Sequence, residues 1–207
     1  MRKRNISSVL TRLEGALLIG LAAAILFAAA GTQLQTALAG KMLRLHVIAN
    51  SDSAEDQALK LQVRDSVLRE VEQLTAGADT AAEARSSVES GLSEIRRAAE
   101  ETLAAEGYAY SVRLSLGDAY FPTREYNGFA LPAGHYDALR VIIGEGAGRN
   151  WWCVLFPPFC TSAAFAEKAA EAGFSEEEIR LITSDGAWEL RFRFVEWVSR
   201  LREFFGC

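Results

Sequence analysis

The chain has 207 residues, of which 50% are hydrophobic and 24% are charged. This composition excludes an intrinsically disordered protein, a collagen-like fibre and a disulfide-dense miniprotein. The formal net charge of −5 argues against a nucleic-acid binder, because such proteins contact phosphates through clustered Lys and Arg. The length suits one domain with a substantial core.

The N-terminus has the pattern of an export signal. A short basic segment ends at Thr11, and Gly15 to Gly31 carries no charge. This run is slightly shorter than the roughly 20 apolar residues that cross a bilayer as a helix, which favours a cleavable signal peptide. Ala37-Leu38-Ala39 before Gly40 offers a small-x-small cleavage site. The alternative is an uncleaved anchor, and in both cases the basic flank places the rest of the chain outside the cytoplasm.

The chain therefore divides into a signal peptide or membrane anchor, residues 1–39, and an exported domain, residues 40–207. Hydrophobic periodicity separates the strands of this domain from its helices. The predicted elements in chain order are a strand over Met42 to Ala49, a helix that begins after Ser53 with a capping box, a helix over Thr80 to Glu106, strands over Tyr108 to Leu116, His135 to Ile143 and Asn150 to Phe156, and short helices over Ala163 to Ala172 and Ser175 to Ile182.

Two stretches of this domain are less regular. Asp118 to Gly134 has no clear period, and residues 187–205 are either a strand followed by a helix or a single helix. We find no repeats and no low-complexity linker. The order of elements predicts a single α+β domain with a mostly antiparallel sheet and two helices after the first strand.

The sequence contains few residues that could form a catalytic site. The two histidines, His46 and His135, both lie in predicted strands, and no nucleophile motif or zinc-ligand spacing accompanies them. We expect no enzyme activity, no metal and no cofactor. An envelope hydrolase that uses Cys153 or Ser51 with a histidine remains an alternative, as does a non-catalytic domain that binds the cell envelope.

The glycine-rich segment Gly144-x-Gly146-x-Gly148 invites a nucleotide-binding interpretation. Phosphate binding needs such glycines between a strand and a helix N-terminus. Here they precede Asn150 to Phe156, which reads as a strand. We therefore predict a hairpin whose glycines adopt positive φ angles.

The strand after these glycines is apolar on both faces, because Trp151 and Trp152 point to opposite sides. It is either a central strand covered on both faces or a binding strand with Arg149 and Asn150 at its edge. Cys153 and Cys160 either form a disulfide, which export permits, or remain apart because Pro157-Pro158 restricts the return of the chain. In both cases Cys207 is left over and would be a free thiol.

Two long motifs resemble the stage II sporulation protein R family. The first runs from Leu43 to Lys60 and has the pattern LRLHVIANSDSxEDQALK, and the second runs from Pro132 to Cys160 and has the pattern PAGxYxALRVxxGxGxGxNWWCVLFPPxC, where x marks positions outside the resemblance. The resemblance implies a signalling protein of endospore formation, exported from the forespore into the space between the forespore and mother-cell membranes. It further implies a partner, a membrane-embedded aspartic protease of the mother cell that cleaves the precursor of sigma-E.

The resemblance carries no catalytic or contact residues to this chain, since the catalytic carboxylates belong to the protease. Our candidate partner interface combines the hairpin with the face of the first strand that we expect to be exposed. It consists of Arg44, His46, Glu145, Arg149, Asn150, Trp151 and Trp152.

Overall fold

The computed structural model describes residues 2–158 and 165–183. In this part of the chain, helices and strands form one α+β domain that follows a long N-terminal helix. The helices are α1 (Arg2–Ala39), α2 (Ala54–Leu74), α3 (Ala81–Ser90), α4 (Leu92–Ala105), α5 (Phe165–Glu171) and α6 (Glu176–Thr183). The strands are β1 (Leu43–Ile48), β2 (Val112–Phe121), β3 (Arg124–Tyr126), β4 (Phe129–Leu131), β5 (Gly134–Ile143) and β6 (Asn150–Phe156).

The main sheet has four strands in the order β2-β5-β1-β6. β1 pairs in parallel with β5 and antiparallel with β6, and β2 pairs antiparallel with β5. The predicted α+β class with a mostly antiparallel sheet is therefore confirmed. β1 is an inner strand, and all six of its residues are buried.

Helices α2 to α4 cover one face of the sheet, which we call the helix face. The predicted N-cap is confirmed, since the Ser53 side chain accepts a hydrogen bond from the backbone N–H of Asp56 at the start of α2. The reciprocal half of the capping box is not formed, because the N–H of Ser53 donates to Oγ of Ser51 (3.2 Å). The predicted apolar stripe of α2 is buried against Leu45 and Val141 of the sheet in one hydrophobic cluster. This stripe consists of Leu59, Val63, Val67 and Val71.

The single helix predicted over Thr80 to Glu106 is wrong, because Gly91 divides it into α3 and α4. Three helices rather than two therefore separate β1 from β2. A Cβ atom on Gly91 would lie 2.4 Å from Cδ1 of Leu74, at the end of α2. A side chain at this break would require the Leu74 side chain to move.

The opposite face of the sheet, the hairpin face, is partly covered by the two-stranded β3-β4 sheet. The β3-β4 hairpin lies within Asp118 to Gly134, where the sequence shows no clear period. β2 extends beyond its predicted end at Leu116, to Phe121. The end of α1 and helices α5 and α6 pack into the same layer, where Leu38, Phe129 and Ile182 are buried in a second hydrophobic cluster.

The predicted hairpin between β5 and β6 is wrong, because β1 lies between these two strands. The segment Gly144 to Arg149 instead crosses the end of β1. The expected positive φ is found at Gly144 (+55°) and Gly146 (+67°). The strand over Asn150 to Phe156 and the two short C-terminal helices are confirmed.

The alternatives for residues 187–205, and the states of Cys160 and Cys207, lie outside the described residues. Among the helices that the structure describes, none combines the length and apolar character needed to cross a membrane.

Candidate functional site

The two long motifs of the sequence meet at one end of the sheet, where β1 ends and β6 begins. The crossing segment is held on the chain that leaves β1 by backbone hydrogen bonds. The N–H of Gly148 donates to the carbonyl of Ala49 (3.0 Å), and the N–H of Ala147 donates to that of Asn50 (3.1 Å). This contact brings the candidate interface residues of the second motif beside the first.

Two glycines of the crossing segment are required by close approach. A Cβ atom on Gly148 would lie 2.1 Å from the carbonyl oxygen of Ser51, and one on Gly144 would lie 2.2 Å from Oδ1 of Asn50. The backbone of Ser51 and the side chain of Asn50 leave no room for these added Cβ atoms. The glycine spacing therefore reflects packing of the crossing segment on the first motif rather than phosphate binding.

The buried carboxylate of Asp56 organises the turn between β1 and α2. Its Oδ2 atom accepts hydrogen bonds from Ser51 Oγ (2.6 Å) and Asn50 Nδ2 (2.8 Å). Burial raises the pKa of Asp56, but hydrogen bonds from Ser51, Asn50 and Tyr110 lower it more, so the net pKa falls below 3.8. Asn50 Oδ1 in turn accepts from the N–H of Glu145 (3.1 Å), which extends the network to the crossing segment.

Lys60 connects α2 to the same segment. Its Nζ donates to Gln57 Oε1 (2.6 Å) and to the carbonyl of Arg149 (3.0 Å). Burial, with a contribution from the Arg149 charge, lowers the pKa of Lys60. The backbone of Arg149 is fixed from a second side, because its N–H donates to Asp52 Oδ1 (2.7 Å). The position of Arg149 is therefore set by both motifs.

His46 lies on the hairpin face between aromatic rings. It stacks on Trp152 with a centroid distance of 3.8 Å, and its Nε2 lies 2.8 Å from Oδ1 of Asn150. Burial is the main cause that lowers the pKa of His46; the Asn150 hydrogen bond raises it, and the charges of Arg140 and Arg124 lower it further. The ring is therefore neutral at pH 7.

Arg44 is fully buried on the same face, inside a cage of aromatic rings. Its guanidinium carbon lies 4.2 Å from the ring centroid of Phe121 and 4.8 Å from that of Tyr136. Nε donates to the carbonyl of Cys153 (3.1 Å) and Nη2 to the hydroxyl of Tyr126 (2.6 Å). The expectation that the Arg44 side chain is exposed is therefore wrong.

The same correction applies to His46, which is 7% exposed. Both errors have one physical cause, since the β3-β4 hairpin and Trp152 cover the face of β1 that the strand pattern left open. The other candidate residues reach the surface: Trp152 is half-buried, and Glu145, Arg149, Asn150 and Trp151 are exposed.

The exposed candidates lie where the two motifs meet, and we call them the rim: Glu145, Arg149, Asn150 and Trp151. The Trp151 ring carries the guanidinium of Arg64 at 4.4 Å, and Arg149 Nε lies 3.6 Å from Asp52 Oδ1. β6 is neither covered on both faces nor open throughout. Among the described strands it lies at the edge of the main sheet, and its C-terminal half is buried.

The described residues give no geometric support to a hydrolase. The Ser51 hydroxyl donates to Asp56, and His46 bonds Asn150 rather than a nucleophile. Cys153 is disulfide-bonded and so has no thiol to ionise. His135 lies at the far end of β5, with its Nδ1 2.6 Å from Oδ2 of Asp118. Within the described ranges, no group of three or more His, Cys, Asp or Glu residues could hold a metal ion.

Comparison with known proteins identifies the family in which the two motifs occur. Residues 39–166 match the family model of stage II sporulation protein R (spore_II_R). The chain belongs to the stage II sporulation protein R family. Stage II sporulation protein R of Bacillus subtilis (strain 168) is 35% identical to it over 181 residues, which are 77% of this chain and 80% of the relative. No solved structure matches the chain.

The match to stage II sporulation protein R includes both motifs and the polar network between them. Sequence reasoning assigned Asp56 only to the helix cap and gave no role to Lys60. A signal for both was present, because they fall at helical spacing from the buried Val63 and so face the sheet. Arg124 was missed with the β3-β4 hairpin.

Proposed function

We propose that this protein is a signalling protein of sporulation, exported from the forespore, that triggers a membrane-embedded aspartic protease of the mother cell. The protease then cleaves the precursor of sigma-E. Membership of the stage II sporulation protein R family is the observation that carries this proposal, and it supports a role in sporulation directly. Export from the forespore, the protease partner and cleavage of the sigma-E precursor are inferred from the resemblance of the two motifs to this family.

The N-terminal pattern supports export. In the proposal, residues 1–39 act as a signal peptide or as an anchor in the forespore membrane, and residues 40–207 act in the space between the two membranes. The basic segment before the apolar run orients the chain in this way. The partner is thus met from its extracytoplasmic side.

The protein itself needs no catalytic group in this scheme. A binding protein activates an enzyme only if it binds the active state more tightly than the inactive one. The rim of Glu145, Arg149, Asn150 and Trp151 is suited to such binding, because Trp and Arg dominate the energetics of many interfaces. The backbone of Arg149 is held in place by Asp52 and Lys60, so little conformational freedom is lost there on binding.

The test is precursor cleavage in a heterologous cell that expresses the membrane protease and the sigma-E precursor. The protein is supplied in its full form and in a form that lacks residues 2–33. This deletion keeps Gln35 and Leu38, which contact the domain. Cleavage that requires the full form supports export and an external contact. No cleavage, with the full form shown to be outside the cytoplasm, would contradict the proposal.

The rim is tested in the same cell with Arg149→Ala and Trp151→Ala. Both side chains are exposed, so the fold should persist while cleavage is lost. Arg97→Ala is the matched control, since Arg97 is exposed on α4 and pairs only with Glu101 in the described part of the chain. Folded rim variants with full activity would exclude this surface. Pelleting with cell wall or lipid vesicles in the absence of the protease would instead favour the envelope-binding alternative.

A further inference from the structure

Three arginines converge on the hairpin face of the sheet. The register places His46 opposite Arg140 and Arg44 opposite Ala138, so Arg44 and Arg140 point to the same face of neighbouring strands. Arg124, at the start of β3, lies over the Trp152 ring at 5.5 Å. We call Arg44, Arg124 and Arg140 the arginine cluster.

The arginine cluster has no counter-charge within the described residues. The ion pairs found there involve other cations, and no described carboxylate lies within 4.0 Å of a side-chain nitrogen of Arg44, Arg124 or Arg140. Nη1 of Arg44 and Nε of Arg124 are buried without a hydrogen-bond partner. Buried cations are normally paired, so an anion that supplies both charge and acceptors would complete this arrangement.

We propose that the arginine cluster is a docking site for a carboxylate side chain from an acidic segment of the partner protein. This inference rests on the proposed function, in which the partner is the extracytoplasmic part of the membrane protease. Guanidinium groups bind carboxylates through paired, charge-assisted hydrogen bonds, and they do so with defined geometry. Half-buried Trp152 and exposed Asn150 border the site and offer a ring and an amide to the same segment.

The depth of the cluster favours a peptide over a lipid surface. Arg44 is fully buried, whereas Arg124 and Arg140 are half-buried. A flat layer of lipid headgroups contacts cations that project from the surface, and it does not fit cations that are half-buried or fully buried. An acidic side chain on an extended segment can lie beside Trp152 and reach the half-buried guanidinium groups of Arg124 and Arg140, while the buried charge of Arg44 adds to the attraction.

The site is tested first without the protease. The full-length protein, in neutral detergent at low ionic strength, is titrated with a hexaglutamate peptide while the Nε–Hε NMR signals of the arginines are followed. We expect saturable shifts at Arg124 and Arg140. The double variant Arg124→Gln/Arg140→Gln should weaken binding at least tenfold, whereas Arg97→Gln should leave it unchanged.

Three results would overturn the proposal. The first is the absence of saturable shifts, or equal weakening in Arg97→Gln. The second is binding of inorganic phosphate with the same affinity as the peptide, which indicates a small-anion site. The third is binding to phosphatidylglycerol vesicles that the arginine substitutions abolish while peptide binding is undetectable, which indicates a lipid site.

The cleavage assay then separates this inference from the proposed function. If the unaltered protein triggers cleavage and Arg124→Glu/Arg140→Glu does not, the cluster is the docking site. If both trigger cleavage, the cluster is excluded and the proposed function stands. If the unaltered protein is inactive, the proposed function fails. Should the double variant not accumulate, Arg140→Gln replaces it, since Arg140 makes no hydrogen bond within the described residues and its loss should leave the fold intact.

Discussion

The imidazole ring of His46 stacks on the indole ring of Trp152 with an interplanar angle of 17°. The contact joins the inner strand β1 to the edge strand β6 and holds a histidine in a buried position close to two arginines. Protonation of His46 would therefore place one more positive charge beside arginines that have no counter-ion in the described part of the chain.

This arrangement predicts a pH dependence of stability. The pKa of His46 is lowered in the folded protein, mainly by burial. The contribution of the neutral ring to the free energy of unfolding is therefore present above the unfolded pKa of 6.5 and is lost as the pH falls below that value. In an NMR titration the His46 ring should titrate with a midpoint below 6.5, and Arg140→Gln should raise that midpoint. A midpoint that does not respond to Arg140→Gln would show that the two groups do not interact.

Gly148→Ala should destabilise the protein, because the added methyl group meets the carbonyl oxygen of Ser51. Overpacking of this kind costs about 1–3 kcal/mol. Gly117→Ala is the matched control: nothing lies within 4 Å of its Cβ position, and replacing glycine in a strand stabilises by roughly 0.5–1 kcal/mol. Urea unfolding measures both changes. Equal effects at the two positions would contradict the packing of the crossing segment on the first motif.

Asp56→Asn tests the network at the turn. Loss of a hydrogen-bonded charge should lower the free energy of unfolding at pH 7 by about 1.5–3 kcal/mol. The pKa of Asp56 is below 3.8, so its contribution is present above that value and disappears as the pH falls through and below it. The difference between variant and unaltered protein should thus shrink in acid. Asp65→Asn, on an exposed site of the same helix, should show neither effect.

Leu38→Ala tests whether the end of α1 belongs to the core of the domain. Leu38 is fully buried in the cluster of the hairpin face, and Gln35 Nε2 donates to the carbonyl of His135 (2.9 Å). Removal of a buried leucine side chain costs about 2–5 kcal/mol. Leu18→Ala, at an exposed site on the same helix, should cost little. Unfolding of the full chain in mild detergent would reveal equal losses if the end of α1 did not pack on the domain.

The disulfide of Cys153 predicts a labelling pattern. We expect Cys160 to be its partner, so alkylation of the denatured but unreduced chain should modify Cys207 alone. Reduction should expose all three cysteines. Peptide mapping that joined Cys153 to Cys207 would contradict this pairing.

The elements with strong periodicity could be predicted from the sequence. The stripe of α2 and the Ser53 cap are local patterns, and both are confirmed. The break at Gly91 was not predicted, because the apolar stripe continues from α3 into α4 and a single glycine does not by itself end a helical pattern. The β3-β4 hairpin was missed since three-residue strands are too short to show alternation.

The candidate site could be predicted only in part. The exposure of the rim from Glu145 to Trp151 was predicted correctly, whereas Arg44 and His46 were expected to be exposed and are buried. An arginine on an alternating strand reads as solvent-facing, and only the strand order shows that β1 has neighbours on both edges and a hairpin above it. Whether the polar face of a strand is buried depends on segments far away in the sequence that pack over it.

The position of β1 between β5 and β6 also governs when the chain can fold. Arg44 bonds the carbonyl of a residue 109 positions later, and His46 meets Asn150 across 104 positions. Contacts this distant in sequence slow folding, because the loop must close before the strand gains its partners. A chain delivered across a membrane from its N-terminus would keep its central strand unpaired until β5 had emerged, and the strand could gain its second neighbour only once β6 had followed.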